Sequence, residues 1–375
     1  MSSAPDAQIV AALTVLRSMG LKPEDLLGAR DNRPPVPTFA QWVPQVYAAM
    51  PDTTTRDGYM SYWRHLVRCW PDRRIDEPTL TEFKQLIETI KAQRNVRRSD
   101  RNGTGMTQTI VSALRCLYHF AIADKIIAPA DNPVLALAKP PVQESNRRAL
   151  SNQQLHAINT ATASTTSDPE LYLLILRLHT ETACRRGGAL NLRRSDLDEE
   201  QCLILLKEKG GLERWQPVSP TLMAALVRHY EQRCPALDHQ HSWATNGRPI
   251  SAEAHQRLLR YSNGNPISKA VYDRFWIHLG KHLPWIASRR VTIHWLRHTT
   301  LRWVDRNFGA SVAKAYAGHT DRRGGATAIY TRAHIEEVAA ALAALTGEPH
   351  PLMSSSIPVE TDADPIPFLA KEKLA

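Results

Sequence analysis

Apolar side chains recur at helical spacing along most of the chain. Residues three or four positions apart share one face of a helix, so this spacing predicts amphipathic helices that bury one side. The first half contains two clear runs of this kind: Trp63, Leu66, Val67 and Trp70, and then Ile110, Ala113, Leu114 and Leu117. The pattern predicts a helical domain over residues 38–143.

Proline-rich and polar stretches divide the chain into four predicted parts. Residues 1–37 hold one amphipathic helix, and their last four residues, Pro-Pro-Val-Pro, force an extended connector. The helical domain at 38–143 ends at a polar linker, and a second domain spans residues 148–346. Residues 347–375 carry five prolines and three consecutive serines, a composition that is typical of a loose tail.

The second domain combines helices with one β-hairpin. Two β-prone segments, 202–207 and 213–218, flank a pair of glycines, which predicts a hairpin that turns at Gly210-Gly211. Helical spacing predicts six helices, over residues 152–160, 169–182, 221–233, 267–282, 292–307 and 333–345. The predicted fold class is therefore mainly α with a small β-sheet (α+β).

Composition narrows the class of protein. The 375 residues are 43% hydrophobic, which is enough to fill substantial cores and excludes a globally disordered chain. No apolar run approaches the roughly 18 residues of a membrane helix, and the N-terminus lacks the pattern of a secretory signal. We therefore expect a cytoplasmic protein without a membrane partner. The five cysteines are scattered without CxxC spacing, which predicts reduced thiols and no zinc site.

Positive charge is in excess. Lysine and arginine number 47 against 37 aspartate and glutamate, and a net charge of +10 favours a polyanionic partner, most simply nucleic acid. The excess is locally dense over residues 91–101, whose basic members are Lys91, Arg94, Arg97, Arg98 and Arg101. This run is either a solvated helix end and loop or a set of contacts to the DNA backbone, and the sequence favours neither.

A histidine and an arginine stand together in the segment TIHWLRHT at 292–299. On a helix, His294 and Arg297 are i, i+3 neighbours on the same side. This pair suits a phosphate, because Arg297 can bind two phosphate oxygens while His294 gives or takes a proton. The alternative is a surface helix with incidental charges. A metal site at His294 and His298 is disfavoured, because Trp295 stands where the zinc-protease pattern needs a glutamate.

Three further segments accompany this one in a fixed order. TACRRGGALNLRRSD at 182–196 and KGGLERWQPV at 209–218 precede it, and Gly318-His319 is followed eleven residues later by Tyr330 in the context IYT. Together, the four segments resemble the catalytic domain of the tyrosine recombinase (phage integrase) family. The resemblance covers residues 40–346 and implies a helical core-binding domain followed by a mixed α/β catalytic domain.

The resemblance implies a covalent mechanism without ATP or a metal. Tyr330 would attack a DNA phosphodiester and form a 3′-phosphotyrosyl link, which conserves the bond energy and removes the need for any cofactor. Lys209 would protonate the departing 5′-oxygen, and His294 would serve as base or proton shuttle for Tyr330. The charge that develops on the phosphate oxygens would be stabilised by three more residues: Arg185, Arg297 and His319.

Two assignments have neighbours of the same type, and the chain departs from the family pattern in two places. Arg186 is the alternative to Arg185, and Lys207 is the alternative to Lys209. The family usually has an acidic residue three positions after the first arginine, where this chain has Gly188. Either another carboxylate supports the arginine or the site is looser. The gap between His319 and Tyr330 is about two residues longer than usual, which a mobile segment tolerates.

The resemblance also implies the partners. The two domains would form a C-shaped clamp on double-stranded DNA at a specific recombination site, and four copies would assemble as a homo-tetramer on two duplexes at the nucleoid. The helix after Tyr330 carries one apolar stripe, which packs either in its own domain or on a neighbouring protomer: Ile335, Val338, Leu342 and Leu345. The alternatives to a recombinase are a type IB topoisomerase and a catalytically silent DNA-binding protein on the same fold.

Overall fold

Two units, each with its own hydrophobic core, make up the chain. The computed structural model describes residues 4–20, 22–23, 34–93, 103–141, 148–208, 211–234, 256–318 and 334–353. The division falls between Met1–Glu144 and Ser145–Ala375. Within the described residues, no helix is both long enough and apolar enough to cross a lipid bilayer.

The first unit is built from helices, as its apolar spacing predicts. They are α1 (Ala4–Ser18), α2 (Phe39–Ala49), α3 (Thr54–Cys69), α4 (Leu80–Ala92) and α5 (Thr104–Ala123), and a 3₁₀ turn follows at Pro129–Asp131. The predicted apolar faces of α3 and α5 meet in the core. There, the indole N–H of Trp63 donates to the carbonyl oxygen of Ala113 at 3.0 Å, so the buried ring leaves no polar atom without a partner.

The second unit surrounds a small sheet with helices. In chain order they are α6 (Asn152–Thr165), α7 (Pro169–Thr182), α8 (Arg186–Asn191), a 3₁₀ turn (Arg194–Asp196), β1 (Leu197–Asp198), β2 (Leu203–Glu208), β3 (Leu212–Pro217), α9 (Pro220–Arg233), α10 (Lys269–His282), α11 (Pro284–Ser288), α12 (Ile293–Ala317) and α13 (Ile335–Thr346). The mainly α fold class with a small sheet is confirmed.

The sheet is a three-stranded antiparallel meander, β1-β2-β3. In the predicted hairpin, Glu208 pairs with Leu212, so residues 209–211 connect β2 to β3. Gly211 has a φ of 70°, a left-handed conformation that glycine adopts without strain. Along β2, side chains alternate between the two faces, which places Leu206 and Glu208 on the buried face and Lys207 on the other.

Helix α12 bends sharply at one glycine. The sequence pattern predicts a helix that ends at 307, whereas the helical segment continues to Ala317 through a break at Gly309. Gly309 has φ 82° and ψ 167°, a combination that is essentially restricted to glycine. The second part of α12 ends at Gly318, which is also left-handed. The apolar spacing could not reveal this continuation, because the break changes the direction of the helix.

Helix α13 packs within its own unit. Val338, Leu342 and Leu345 are buried in the same core as α7 and α12, in agreement with the first of the two predicted placements. The chain just after α13 is also anchored: Glu348 accepts hydrogen bonds from the backbone N–H of Thr221 at 3.2 Å and from Arg177 at 3.3 Å. The first residues of the predicted tail therefore lie against this unit, and residues 354–375 are outside the described residues.

Candidate active site

The last turn of α7 is held by side chains of α12. The C-terminal carbonyl groups of a helix have no partner within the helix and need one from elsewhere. Here, the hydroxyl of Thr300 donates to the carbonyl oxygen of Thr180 at 2.7 Å, and the buried hydroxyl of Tyr316 donates to that of Glu181. These contacts fix the point where the chain leaves α7 and enters the segment TACRR.

Arg297 extends this contact into the site. Its side chain is buried, and its two terminal nitrogens donate to the carbonyl oxygens of Ala183 and Ala317, the latter at 2.7 Å. Burial, reinforced by the nearby charge of Arg185, lowers the pKa of Arg297 to about 10. The guanidinium therefore stays charged at neutral pH. It joins the end of α7 to the end of α12.

Arg185 is held by a buried carboxylate from the sheet. It stands at the N-cap of α8, and its backbone N–H donates to Oε1 of Glu208 at 2.9 Å. Its guanidinium forms an ion pair with Oε2 of the same carboxylate. The Glu208 side chain is fully buried, while the Arg185 side chain keeps a third of its surface exposed. Part of the Arg185 side chain thus remains accessible from outside.

Arg214, on β3, is a third arginine of the site. Its terminal nitrogens donate to the side-chain oxygen of Gln216 and, at 3.4 Å, to the carbonyl oxygen of Thr182. The described residues offer its buried Nε no hydrogen-bond partner. Burial lowers the pKa of Arg214, while the charge of Glu208 acts in the opposite direction. A side chain at Gly318 would collide with Arg214, because its Cβ would lie 2.4 Å from Cδ of the arginine.

Together these groups create a positively charged site. The charges of Arg185, Arg214 and Glu208 all act on the pKa of Arg297, so the four side chains lie within electrostatic range of one another. Three guanidinium groups against the carboxylate of Glu208 leave an excess of positive charge. Such an arrangement is suited to an anion with several oxygens, of which a phosphate is the common biological example.

His294 lies one turn before Arg297 at the surface. It is exposed, whereas Arg297 is buried, and the charges of both lower the pKa of the buried His179, after the larger effect of burial. His179 is hydrogen-bonded to the carbonyl oxygen of Cys184 at 3.1 Å and to the hydroxyl of Tyr272 at 3.0 Å. His294 and Arg297 therefore lie on the same side of α12, as their spacing predicts.

The two alternative cations have other partners. Arg186 lies 3.5 Å from the carboxylate of Asp273, with both side chains well exposed. Lys207 forms an ion pair with the buried carboxylate of Asp196 at 2.6 Å, on the face of β2 opposite Glu208. These contacts hold Arg186 against α10 and Lys207 against the 3₁₀ turn that precedes β1.

Several predicted site residues lie outside the described residues. They are Lys209, His319 and Tyr330 of the catalytic set and Arg94, Arg97, Arg98 and Arg101 of the basic run. Lys209 directly follows Glu208 in the chain, and His319 directly follows Gly318. Of the basic run, Lys91 is described. It lies at the end of α4 and contacts the carboxylate of Glu88 at 3.2 Å.

Comparison with models of known protein families decides which family this chain belongs to. The model of the phage integrase family matches residues 148–337, just over half of the 375 residues. The chain belongs to the phage integrase family. The matched region contains the ion pair between Arg185 and the buried Glu208, as well as Arg297, and it also spans the predicted positions of Lys209, His319 and Tyr330.

The chain is also similar to one known recombinase in sequence and to solved integrase structures in fold. Tyrosine recombinase XerC of Bacillus pumilus (strain SAFR-032) is 27% identical over 121 residues, which are 32% of this chain and 39% of that protein, so the chain spans about two fifths of that relative's length. A lambda integrase dimer bound to a COC′ core site has a TM-score of 0.57 at 17% identity, over 89% of this chain and 88% of that one. The Tn1549 transposon integrase in complex with a circular intermediate DNA has a TM-score of 0.56 at 17% identity, over 79% and 95% of the two chains.

Two residues of this integrase-family site have no role in the sequence prediction: Glu208 and Arg214. The sequence contained a signal for Glu208, because alternation along β2 places it on the same buried face as Leu206, where a charge requires a partner. Arg214 stands in the same hairpin, and its burial depends on tertiary contacts that spacing does not reveal. All five cysteines are free; Cys184 and Cys202 are buried, and Cys69 is exposed. The described residues contain no group of three histidine, cysteine or acidic side chains arranged to hold a metal.

Proposed function

We propose that this chain is a site-specific DNA recombinase that breaks and rejoins double-stranded DNA through a 3′-phosphotyrosyl intermediate at Tyr330. The observation that carries the proposal is the convergence of Arg185 and Arg297 in one positively charged site, each fixed by buried contacts. The family match over residues 148–337 supports the same chemistry. Neither ATP nor a metal takes part in the proposed reaction.

The arginines would act on the scissile phosphate. As the tyrosine oxygen attacks, negative charge grows on the non-bridging oxygens of the phosphorus, and donors that are already in position lower the barrier. A guanidinium has five N–H donors, and the two carbonyl contacts of Arg297 account for two of them. Arg185 is a third exposed and offers the rest of its donors to the same phosphate. His319 would add another donor.

Proton transfer would complete the exchange of bonds. A free phenol has a pKa of about 10, so a tyrosine nucleophile must lose its proton as it attacks, and the exposed His294 would accept the proton of Tyr330 or relay it. The new bond joins the tyrosine oxygen to phosphorus, and the bond from phosphorus to the 5′-oxygen breaks. Lys209 would protonate the departing oxygen. Religation reverses these steps with a 5′-hydroxyl of another strand.

The contacts of the neighbouring cations support the choice of residues. Arg185 forms an ion pair with the buried Glu208 inside the site, whereas Arg186 contacts the exposed Asp273. Lys207 is held by Asp196, which supports Lys209 as the proton donor. We therefore assign the catalytic roles to one member of each pair: Arg185 and Lys209.

The partner would be double-stranded DNA with a specific recombination site. Among the similar structures, lambda integrase is described as a dimer on a core site and as a tetramer on a Holliday junction. By analogy, we propose a homo-tetramer of this chain on two duplexes, located at the nucleoid. The basic run at 91–101 would contact phosphates, and such contacts add affinity without sequence information.

A nicked substrate tests the proposal. Duplexes that bind the Tyr330→Phe variant are first selected from a randomised pool, and each is then nicked so that cleavage releases a short strand and traps the enzyme. The wild-type protein should form a covalent adduct that survives denaturation, and Tyr330→Phe should form none. An adduct with Tyr330→Phe would show that the nucleophile is another residue. Absence of any wild-type adduct on the selected duplexes would contradict the recombinase proposal. Relaxation of a plasmid without a selected site would favour a topoisomerase instead.

A further inference from the structure

A glycine in α8 lies beside the buried carboxylate of Glu208. Gly188, three residues after Arg185, is buried, and a Cβ built there would lie 3.3 Å from Cγ and 3.6 Å from Oε1 of Glu208. The side chain of Glu208 therefore fills the space that a side chain at position 188 would occupy. Position 188 is also the place where the family resemblance predicts an acidic residue.

Glu208 fixes both the backbone and the side chain of Arg185. Its Oε1 accepts the backbone N–H of Arg185 at 2.9 Å, and its Oε2 pairs with the guanidinium. A carboxylate that binds the same residue at two points restrains the rotation of its side chain as well as its position. Full burial of the Glu208 side chain excludes competing water from this contact.

Glu208 also balances the charge around Arg185. Its negative charge raises the pKa of Arg297 and of Arg214, against the effects of burial. Without it, several guanidinium groups would face one another in a poorly solvated place, where like charges repel strongly. The carboxylate thus permits Arg185 and Arg297 to stay close while both are charged.

We propose that Glu208 is the positioning residue for Arg185 and that it takes the place of the acid absent at position 188. The exchange depends on Gly188, because a residue without a side chain in α8 leaves room for a carboxylate from β2. The proposal rests on the recombinase function proposed above. It removes the main support for a catalytically silent protein, since the first arginine has an acidic partner after all.

A swap of the two positions tests the proposal most sharply. In the nicked-duplex assay, Glu208→Gln should slow adduct formation by about 10- to 100-fold, the size of effect known for the loss of a partner that orients a metal ligand. Gly188→Glu alone should also be slow, because its side chain collides with Glu208 and adds a second negative charge. The double variant Gly188→Glu/Glu208→Ala should be faster than either Gly188→Glu or Glu208→Ala alone. A double variant that is no faster than the singles would overturn the exchange.

A substrate with sulfur at the 5′-bridging position separates Arg185 from Lys209. Glu208 directly precedes Lys209, so its loss could also act through the proton donor. A thiolate leaves without protonation, because thiols have a pKa of about 8.5 and alcohols a far higher one. The sulfur substrate should restore Lys209→Ala but not Glu208→Gln. Full restoration of Glu208→Gln would show that Glu208 acts through Lys209 and would overturn our assignment.

A thermal-unfolding cycle tests the contact without DNA. We compare the wild-type protein with Arg185→Gln, Glu208→Gln and the double variant. The melting-point losses of the two single variants should sum to more than the loss in the double variant, because the residues interact. If wild type forms no adduct but the cycle shows coupling, the recombinase function fails while the Arg185–Glu208 contact stands. If wild type forms an adduct and Glu208→Gln reacts at the wild-type rate, the positioning role is wrong.

Discussion

The Nη2 atom of Arg297 donates a hydrogen bond of 2.7 Å to the carbonyl oxygen of Ala317. Both residues belong to α12, and twenty positions of straight helix would separate them by about 30 Å. The bond forms because the helix turns back at Gly309, whose φ of 82° breaks the helical path. The turn returns the end of α12 to the site, two positions before His319, a residue of the predicted catalytic set.

Gly309→Ala should weaken both the fold and the reaction. An alanine at φ 82° and ψ 167° is strained by about 1–3 kcal/mol, and relief of that strain would move Ala317 away from Arg297. We expect a lower melting temperature together with slower adduct formation. Gly58→Ala is the matched control: Gly58 lies in helix α3, a Cβ there would meet no atom within 4 Å, and the variant should be slightly more stable than wild type. Equal stability of Gly309→Ala and wild type would contradict this account of the bend.

Arg297→Lys should abolish most activity although the charge is retained. The three donors of a lysine project from one nitrogen, whereas Arg297 reaches the carbonyl oxygens of Ala183 and Ala317 with two separate nitrogens, so these buried oxygens lose partners in the variant. We expect a loss of about 1–3 kcal/mol in unfolding free energy and a decrease in adduct formation of about 100-fold or more. Arg302→Lys, exposed on the same helix, should change neither quantity. A fully active Arg297→Lys would exclude the proposed double role.

Stability should fall between pH 7 and pH 5 because of His179. Burial, the largest cause, lowers the pKa of this histidine to about 3, whereas the unfolded chain has the ordinary value of about 6.5. Between these values the unfolded state binds a proton that the folded state rejects, so unfolding becomes easier as pH falls. For this group alone, the loss from pH 7 to pH 5 is about 2 kcal/mol.

Chemical denaturation at both pH values measures this loss. His229, whose pKa is lowered to about 4 chiefly by burial, contributes in the same direction, so the contribution of His179 is taken as a difference between variants. His179→Gln should be less stable than wild type at pH 7 and should lose less of its stability on going to pH 5. An identical pH dependence in the two proteins would show that His179 is not the group responsible.

Lys209→Ala and Lys207→Ala should behave differently. A proton donor to the leaving group contributes about 100- to 10,000-fold, so loss of Lys209 should slow cleavage by an amount in this range. Lys207 is engaged with Asp196 on the opposite face of β2, and its loss should slow cleavage by no more than about threefold. Single-turnover adduct formation gives both rates. The opposite order would transfer the role to Lys207.

The basic run should determine the salt dependence of DNA binding. The logarithm of the affinity falls as the logarithm of the salt concentration rises. Each phosphate contact that is removed makes this negative slope shallower by about 0.9. Substitution of Arg94, Arg97, Arg98 or Arg101 by glutamine should each give a decrease of this size, measured by fluorescence anisotropy with a selected duplex. Lys91→Gln should give a smaller decrease, because Lys91 is already paired with Glu88. Unchanged slopes in all of these variants would favour the solvated-loop interpretation of the run.

Local signals made much of the fold predictable. Pro169–Thr182 has a proline at its start and an unbroken apolar face, and its predicted and observed bounds coincide. The hairpin follows from two β-prone segments on either side of a glycine pair, with bounds that differ by one residue. The return of α12 escaped prediction because the helical pattern ends at 307, and a glycine just after it, Gly309, is compatible with both an end and a break followed by more helix.

Residues of the candidate site were predictable only where they stand in a recognisable sequence segment. Arg185, His294 and Arg297 are recognisable from their segments. Glu208 acquires its meaning from tertiary structure, because β2 brings it beside α8, and neither segment alone shows which carboxylate reaches Arg185. The sequence shows only that an acid is absent at Gly188. The structure shows that the side chain of Glu208 lies beside this position.

The central claim is a covalent bond between Tyr330 and a 3′-phosphate. Mass spectrometry of the adduct trapped on a nicked duplex, after digestion with protease and nuclease, measures this bond directly. We predict that the modified peptide contains Tyr330 and carries nucleotides joined through their 3′-phosphate, while the released strand bears a 5′-hydroxyl. Attachment at another residue, or through a 5′-phosphate, would contradict the account.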